Sequence, residues 1–351
     1  LSELDVATPS TAADTEALPI ESLRHLGTAP LTTGAAWRLI GQDGGQTIEL
    51  GGGETLFVFS DTLIEAAGNR VLLANCAALS NAGRLDEALA GLRYYEDHRG
   101  WPRQILRPNH DERRRNLRFW PAHGVYSGGK VWLFYLGIEF FNPSSDWGFR
   151  NLGAGLAVLD PATGEATRLR RGHPARPAEG DWCLWKAHGD DFHFGVQTLR
   201  EGGWIYVYSS LRHGYHAQAG VARVEEERIG HPGAYTFLAA DGSWTGSLAD
   251  AASLGPCGND FSVSFNPYLG RYLMAYVDPY AKVLHLRHAP RPWGPWSAPQ
   301  AVGELPHHPG SELIFLGLEH PRFAEDGGRT VYLSYGQPHF VQNSLLALSF
   351  G

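Results

Sequence analysis

The sequence predicts an all-β chain folded as a five-bladed β-propeller, and three observations predict it. A strand, a Gly-rich or Asx turn, an aromatic strand and a third strand recur five times in that order. The aromatic strands are apolar on both faces: Leu-Phe-Val-Phe at 56–59, Val-Trp-Leu-Phe-Tyr at 131–135, Trp-Ile-Tyr-Val-Tyr at 204–208, Tyr-Leu-Met-Ala-Tyr at 272–276 and Val-Tyr-Leu-Ser-Tyr at 331–335. Strands of that kind are covered on both sides, as they are between neighbouring sheets. Composition agrees, because 43 Gly and 22 Pro against one Met suit short strands joined by tight turns. A two-sheet sandwich would explain the strands but not their repeated order.

The elements follow in chain order. Residues 1–18, rich in Ala, Thr, Ser, Asp and Glu, read as a flexible leader, and 19–351 as one propeller domain. The leader fits a secreted or cell-envelope protein. Block one holds strands at 47–50, 55–60 and 71–79, the first two joined by Gly51-Gly52-Gly53. A short helix at 85–92 and an arginine-rich surface excursion at 97–116 interrupt the pattern after it. Block two has strands at 123–126, 131–136 and 155–159; block three at 194–199, 204–209 and 218–224. Block four has them at 261–265, 271–277 and 283–288; block five at 320–323, 330–335 and 344–350. Block five lacks a fourth strand, which 20–27 or 35–40 would supply, closing the ring and removing exposed sheet edges.

Charge and motifs exclude several classes. A formal net charge of −8 argues against a nucleic-acid partner held through phosphates. No run of 18 apolar residues exists to span a membrane. Phosphate-loop, dinucleotide, zinc-protease and Gly-x-Ser-x-Gly signatures are absent from the sequence, and no cofactor is expected. Cys76, Cys183 and Cys257 allow at most one disulfide and lack metal-ligand spacing. The stretch Lys186 to His193 is dense in metal-capable groups, but His188, Asp191 and His193 are irregularly spaced; they read as polar pocket residues rather than a metal site.

The chemistry centres on the first hairpin. Asp43 precedes its first strand and Asp61 ends the second, so the fold-back brings two carboxylates to one sheet edge. Paired carboxylates are what acid/base hydrolysis of a glycosidic bond requires, although both could simply cap turns. Where the inner strands begin, a propeller pocket would also receive Asp260 as a third acid, with Trp120, His123, His193, Glu319 and His320 as substrate-binding candidates. Trp147, Trp182 and Trp185, with Trp120, are candidate stacking platforms for sugar rings. His213, His216, His307 and His308 read as loop histidines.

Gln-Asp-Gly-Gly-Gln at 42–46 with Phe-Val-Phe-Ser-Asp-Thr at 57–62 resembles the first blade of a five-bladed propeller family associated with endo-D-arabinanases. Ser60 stands where that family usually has Gly. The segments 194–199 with 204–208 are similar to its third blade. Those at 260–263, 266–272, 287–290 and 294–297 are similar to its fourth, with Asp260 where Glu is usual. The resemblance covers about residues 35–350. It implies a glycoside hydrolase acting on a furanose polymer, an arabinan with D-arabinan favoured, through Asp43 and Asp61. The alternatives are a non-catalytic carbohydrate-binding propeller and a related glycosidase directed at L-arabinan or xylan. In each case the partner is a carbohydrate polymer or oligosaccharide.

Overall fold

The protein is described by a computed structural model covering residues 16–142, 148–171, 180–186, 192–213, 216–337 and 343–351. Each sequence block forms one antiparallel sheet, because its turns fold successive β-prone runs directly onto each other. The glycine pairs 128–129 and 202–203 have φ of +59° and +77°, and +56° and +81°. Two consecutive positive φ values suit the tight hairpin turn that matches strand twist.

Blade one comprises Trp37–Gly51, Glu54–Ala66, Cys76–Ser80 and Arg93–Tyr94, with Asn69–Leu73 pairing the far half of its second strand. Blade two runs Leu117–Ser127, Lys130–Phe140, Phe149–Asp160 and Glu165–Arg168. Blade three runs Phe192–Glu201, Trp204–His213, His216–Glu225, Thr236–Leu238 and Trp244–Thr245. Blade four is Phe261–Asn266, Arg271–Asp278, Val283–Ala289 and Gln300–Glu304. Blade five is Phe315–Glu319, Thr330–Gly336, Ser344–Phe350 and, outermost, Ile20–Thr28. The first strand of each blade touches that of the next, from one through five and back to one, which makes the ring.

Five apolar clusters lie at the five blade interfaces, and the second strands fill them from both sides. Leu56, Phe57, Val58 and Phe59 are all buried, as are Ile205, Tyr206, Val207 and Tyr208. Burial on both faces is what the uniformly apolar strands require. None of the described helices is long and apolar enough to cross a membrane. Cys76, Cys183 and Cys257 are buried free thiols, so the one disulfide the sequence allowed does not form.

The structure corrects several sequence expectations. The inner strand of blade five is Phe315–Glu319, whereas 320–323 forms a 3-10 turn. Pro321 there lacks an N–H and cannot extend a ladder. The expected strand 71–79 breaks between Asn69–Leu73 and Cys76–Ser80. The helix is shorter, Leu85–Ala90. The excursion is docked rather than loose. Ile105 and Leu106 are buried between blades one and two, and a second helix, His110–Arg114, carries a capping box between Asn109 and Glu112. Glu112 is in turn held by Arg168 at 2.6 Å and Arg170 at 3.4 Å. The chain is already fixed at 16–18, inside the expected leader: His288 Nε2–H donates to the Glu16 carbonyl at 2.8 Å, and Leu18 N–H donates to Gln300 Oε1 at 2.7 Å.

Candidate active site

Asp43 and Asp61 sit inside long strands rather than at strand ends, on a pair of compensating β-bulges. Gln42 pairs with Thr62 and Gly44 with Phe59, so Asp43 alone faces both Ser60 and Asp61. Gln46 then pairs with Val58, leaving Gly45 as the extra residue that restores register. A bulge re-aims the side chains beside it and sharpens local twist. The glycines make this geometry affordable to the backbone. Gly44 and Gly45 have φ of +86° and +104°, and a Cβ on Gly44 would meet Gln46 Oε1 at 3.1 Å and Ser60 N at 3.2 Å. Asn343 Nδ2 also donates to the Gly44 carbonyl at 2.7 Å, fixing the bulge from blade five.

The two carboxyls have different surroundings. Asp61 is 8% exposed. Trp120 Nε1–H donates to its Oδ1 at 3.2 Å, and an Arg118 guanidinium N–H donates to its Oδ2 at 3.4 Å. Burial pushes Asp61 up to about 6, against the lowering influence of Arg118 and Trp120. Asp43 has no such cation among the described residues. Burial, then the nearby charges of Asp61 and Asp260, push it up to about 7. The influence on Asp43 brings Asp260, half-buried at the head of Phe261–Asn266, into its neighbourhood. Like charges in one buried site keep a proton among them.

Arg118 was missed from sequence, although it lies two residues before Trp120 on the inner strand of blade two. Residues at that spacing share a strand face, so naming Trp120 could have named Arg118. Around them stand Phe140 and Phe149. The Trp120 ring lies 6.2 Å from Phe140 and 5.1 Å from Phe149, both edge-on. His193 is half-buried near the start of blade three's inner strand, while Trp147 and residues 187–191 lie outside the described residues.

The other aromatic and basic candidates face elsewhere. Trp182 is 2% exposed and packs edge-on against Phe119 in the core between blades one and two; Gly137 leaves room for its ring, since any Cβ there would collide with it. Trp185 is buried against Phe194, so neither indole presents a face to a sugar. His307 and His308 are exposed in the loop after Gln300–Glu304.

His123, Glu319 and His320 belong to a belt of links between inner strands. His123 Nε2–H donates to the Thr47 carbonyl of blade one at 3.1 Å, and its Nδ1 accepts from Thr198 N–H of blade three at 3.3 Å. The carbonyl can only accept, which fixes the neutral tautomer, and burial pulls His123 down to about 4. Gln197 Nε2–H donates to the Val263 carbonyl of blade four at 3.1 Å. Ser264 Oγ–H donates to Glu319 Oε2 of blade five at 2.7 Å. His320, 2% exposed, places Nδ1 3.4 Å from Thr47 Oγ1 and Nε2 2.9 Å from Ser334 Oγ, which completes the circuit. Both nitrogens of each ring are thereby used by the protein. Ser264 lies four residues beyond Asp260 along a strand, roughly 13 Å deeper at the usual rise per residue.

Glu319 carries a stability consequence. It is 7% exposed, and burial pushes its carboxyl from 4.5 up to about 7. A carboxyl raised above its unfolded value stabilises fully below about pH 4.5, and that contribution is lost as pH rises through about 7. Glu319→Gln keeps an acceptor for Ser264 and is expected to gain about 2–3 kcal/mol relative to the parent at pH 8, with little change at pH 5. Thermal melts at both pH values check this; parallel curves for the two proteins would remove Glu319 from the account.

Several solved structures share the fold. A Bacteroides ovatus protein provisionally described as a hydrolase superposes with a TM-score of 0.63 at 17% identity, covering 93% of this chain and 87% of its own. A family 117 glycoside hydrolase from the marine bacterium Zobellia galactanivorans gives 0.53 at 12%, covering 94% and 91%. A GH43 β-xylosidase/α-arabinofuranosidase from a compost microbial metagenome, solved with xylotriose, gives 0.51 at 12%, covering 92% and 94%. At such identities the likeness concerns the five-bladed architecture. No curated protein matches the sequence significantly. Residues 28–339 match the family described as a domain of unknown function, DUF4185, and that span makes the chain a member of the DUF4185 family.

Proposed function

We propose that the protein is a glycoside hydrolase that cleaves a furanose-containing polysaccharide, an arabinan and foremost D-arabinan, with Asp43 as general acid and Asp61 as the ionised partner. The observation that carries this reading is the bulge that sets Asp43 opposite Ser60 and Asp61, with Arg118 and Trp120 directed at Asp61 alone. A glycosidic oxygen leaves poorly until protonated, and an oxocarbenium-like transition state gains from nearby negative charge. Asp43, buried beside two carboxyls, retains a proton to donate. Asp61, held by a cation and an indole N–H, supplies the negative charge, either attacking the sugar or drawing a proton from water. Propeller-fold neighbours named as glycoside hydrolases support the class, and the first-blade resemblance supports the sugar. A polymeric substrate would be met outside the cytoplasm or at the cell envelope.

The pH dependence follows from the two groups. Asp61 must be ionised, which gives a rising limb near pH 6; Asp43 must be protonated, which gives a falling limb near pH 7. A narrow optimum between them is expected. The test of function is incubation with D-arabinan, L-arabinan and arabinoxylan, following oligosaccharide release by chromatography. Release from D-arabinan is the expected result. Release only from L-arabinan or arabinoxylan would replace the sugar assignment. Tight binding to a polymer without release would make the protein a non-catalytic carbohydrate-binding propeller.

A further inference from the structure

We propose that Arg118, stacked on Phe140 and directed at Asp61, is a positioning residue that keeps Asp61 the ionised member of the aspartate pair and leaves the proton on Asp43. This deepens the glycosidase reading above and rests on it for its catalytic meaning. Its physical content, the distribution of one proton between two carboxyls, can be measured without substrate.

Three observations carry it. The two oxygens of Asp61 have separate donors, Trp120 Nε1 at 3.2 Å and Arg118 at 3.4 Å, both projecting from one face of Leu117–Ser127. The guanidinium is held in place by an aromatic face, its carbon 3.9 Å from the Phe140 ring centre, and Phe140 itself packs 5.5 Å from Phe149. A planar, permanently charged group stacked on a ring is pre-organised in a way a lysine is not. On the adjacent strand, Glu139 already has its own cations, Arg115 at 3.0 Å and Arg150. Arg118 therefore directs its charge at Asp61, with its side chain 32% exposed.

The other charged groups around Asp61 do not offset this. Asp43 faces it across the hairpin and Asp260 acts on Asp43 from blade four, both of one sign with Asp61. On the third strand of blade one, the Cys76 thiol meets the Thr62 hydroxyl and carries no charge. His193 stands half-buried near the start of blade three's inner strand. The cation supplied by Arg118, beside the Trp120 N–H, thus makes the two aspartates unlike, and an acid/base pair needs them unlike.

The experiment compares the parent with Arg118→Met, which keeps an apolar contact to Phe140, Arg118→Lys, which keeps the charge, and Trp120→Phe, which keeps the ring but drops its donor. Carbon-13 NMR of Asp-carboxyl-labelled protein, assigned with Asp61→Asn, follows the Asp61 titration without substrate, and kcat/KM against pH follows the reaction. Arg118→Met is expected to raise the Asp61 midpoint and the acid limb of kcat/KM by about one pH unit, with Arg118→Lys restoring most of it. An Asp61 titration in Arg118→Met and Trp120→Phe that superimposes on the parent would overturn the proposal, with glycosidase activity left intact. A shifted titration in a protein that cleaves no glycan would uphold the Arg118 assignment and overturn the catalytic reading alone.

Discussion

Asp43→Asn and Asp61→Asn are each expected to lower kcat/KM on the polymer by about 10² to 10⁴-fold while leaving the fold intact. Asparagine matches the shape of aspartate but neither donates an acidic proton nor carries charge. The two variants should then differ in how they fail. A substrate with a good aryl leaving group needs no protonation, so it should recover much of its rate in Asp43→Asn and little in Asp61→Asn. The pH profile should lose its falling limb in the first variant and its rising limb in the second. Full polymer activity in either variant would take that residue out of the pair. Stability should move the other way. Asp43 is raised from 3.8 to about 7, so its stabilising contribution is present below about pH 4 and lost as pH rises through 7. Asp43→Asn should therefore melt higher than the parent at pH 8, a gain in stability made at the expense of function.

Asn75→Ala is expected to cost about 4 kcal/mol or more, the largest stability loss of any polar substitution argued from this fold. Asn75 has 0% exposure and all four of its side-chain bonds are made. Its Nδ2 donates to the carbonyls of Leu106 at 3.0 Å and Phe119 at 2.9 Å, and its Oδ1 accepts from Ile105 N–H at 3.0 Å and Leu106 N–H at 2.9 Å. Truncation leaves four buried backbone groups without partners, each costing about 1–3 kcal/mol. Phe119 lies between Arg118 and Trp120, so the same change should also loosen the strand that holds Asp61 and reduce activity. Urea denaturation checks the stability term, with exposed Asn69→Ala as a control expected within about 0.5 kcal/mol of the parent. A midpoint for Asn75→Ala close to that control would show that water or backbone movement replaces the four bonds.

The fold was legible because one signal is strong and repeated: a strand buried on both faces must be apolar throughout, and five such strands follow glycine or Asx turns. Strand lengths were less legible. Inner strands carry small and polar residues, such as Thr47, Thr198, Ser262 and Ser264, whose hydrogen-bond partners across blades lie 55 to 273 residues away in the chain. Blade five was misplaced by one element because Phe315–Glu319 is interrupted by Gly317 at φ +120°, a bulge that blurs alternation, while the aromatic Phe323 nearby mimicked a strand. In the site, Asp43 and Asp61 announced themselves by their symmetry about a glycine turn. Arg118 did not, since one arginine among many acquires meaning only once blade two is set beside blade one. Trp182 and Trp185 misled for the opposite reason: indole chemistry is the same in a core and in a sugar cleft.

The pairing of Ile20–Thr28 with Ser344–Phe350 bears on how the protein is made. Ile20–Thr28 leaves the ribosome ahead of the other described strands and finds its partner last, once residues 29–343 have been synthesised. At ordinary elongation speeds that interval is roughly 15–60 s. Through it the ring stands open, with the inner faces of blades one and five unmatched and a strand edge bare on each side. Final closure is thus the longest-range event in folding, and topology of that kind is slow. The aspartate hairpin, by contrast, is local and can form early, so an assembled first blade would wait on a distant clasp before its site is enclosed.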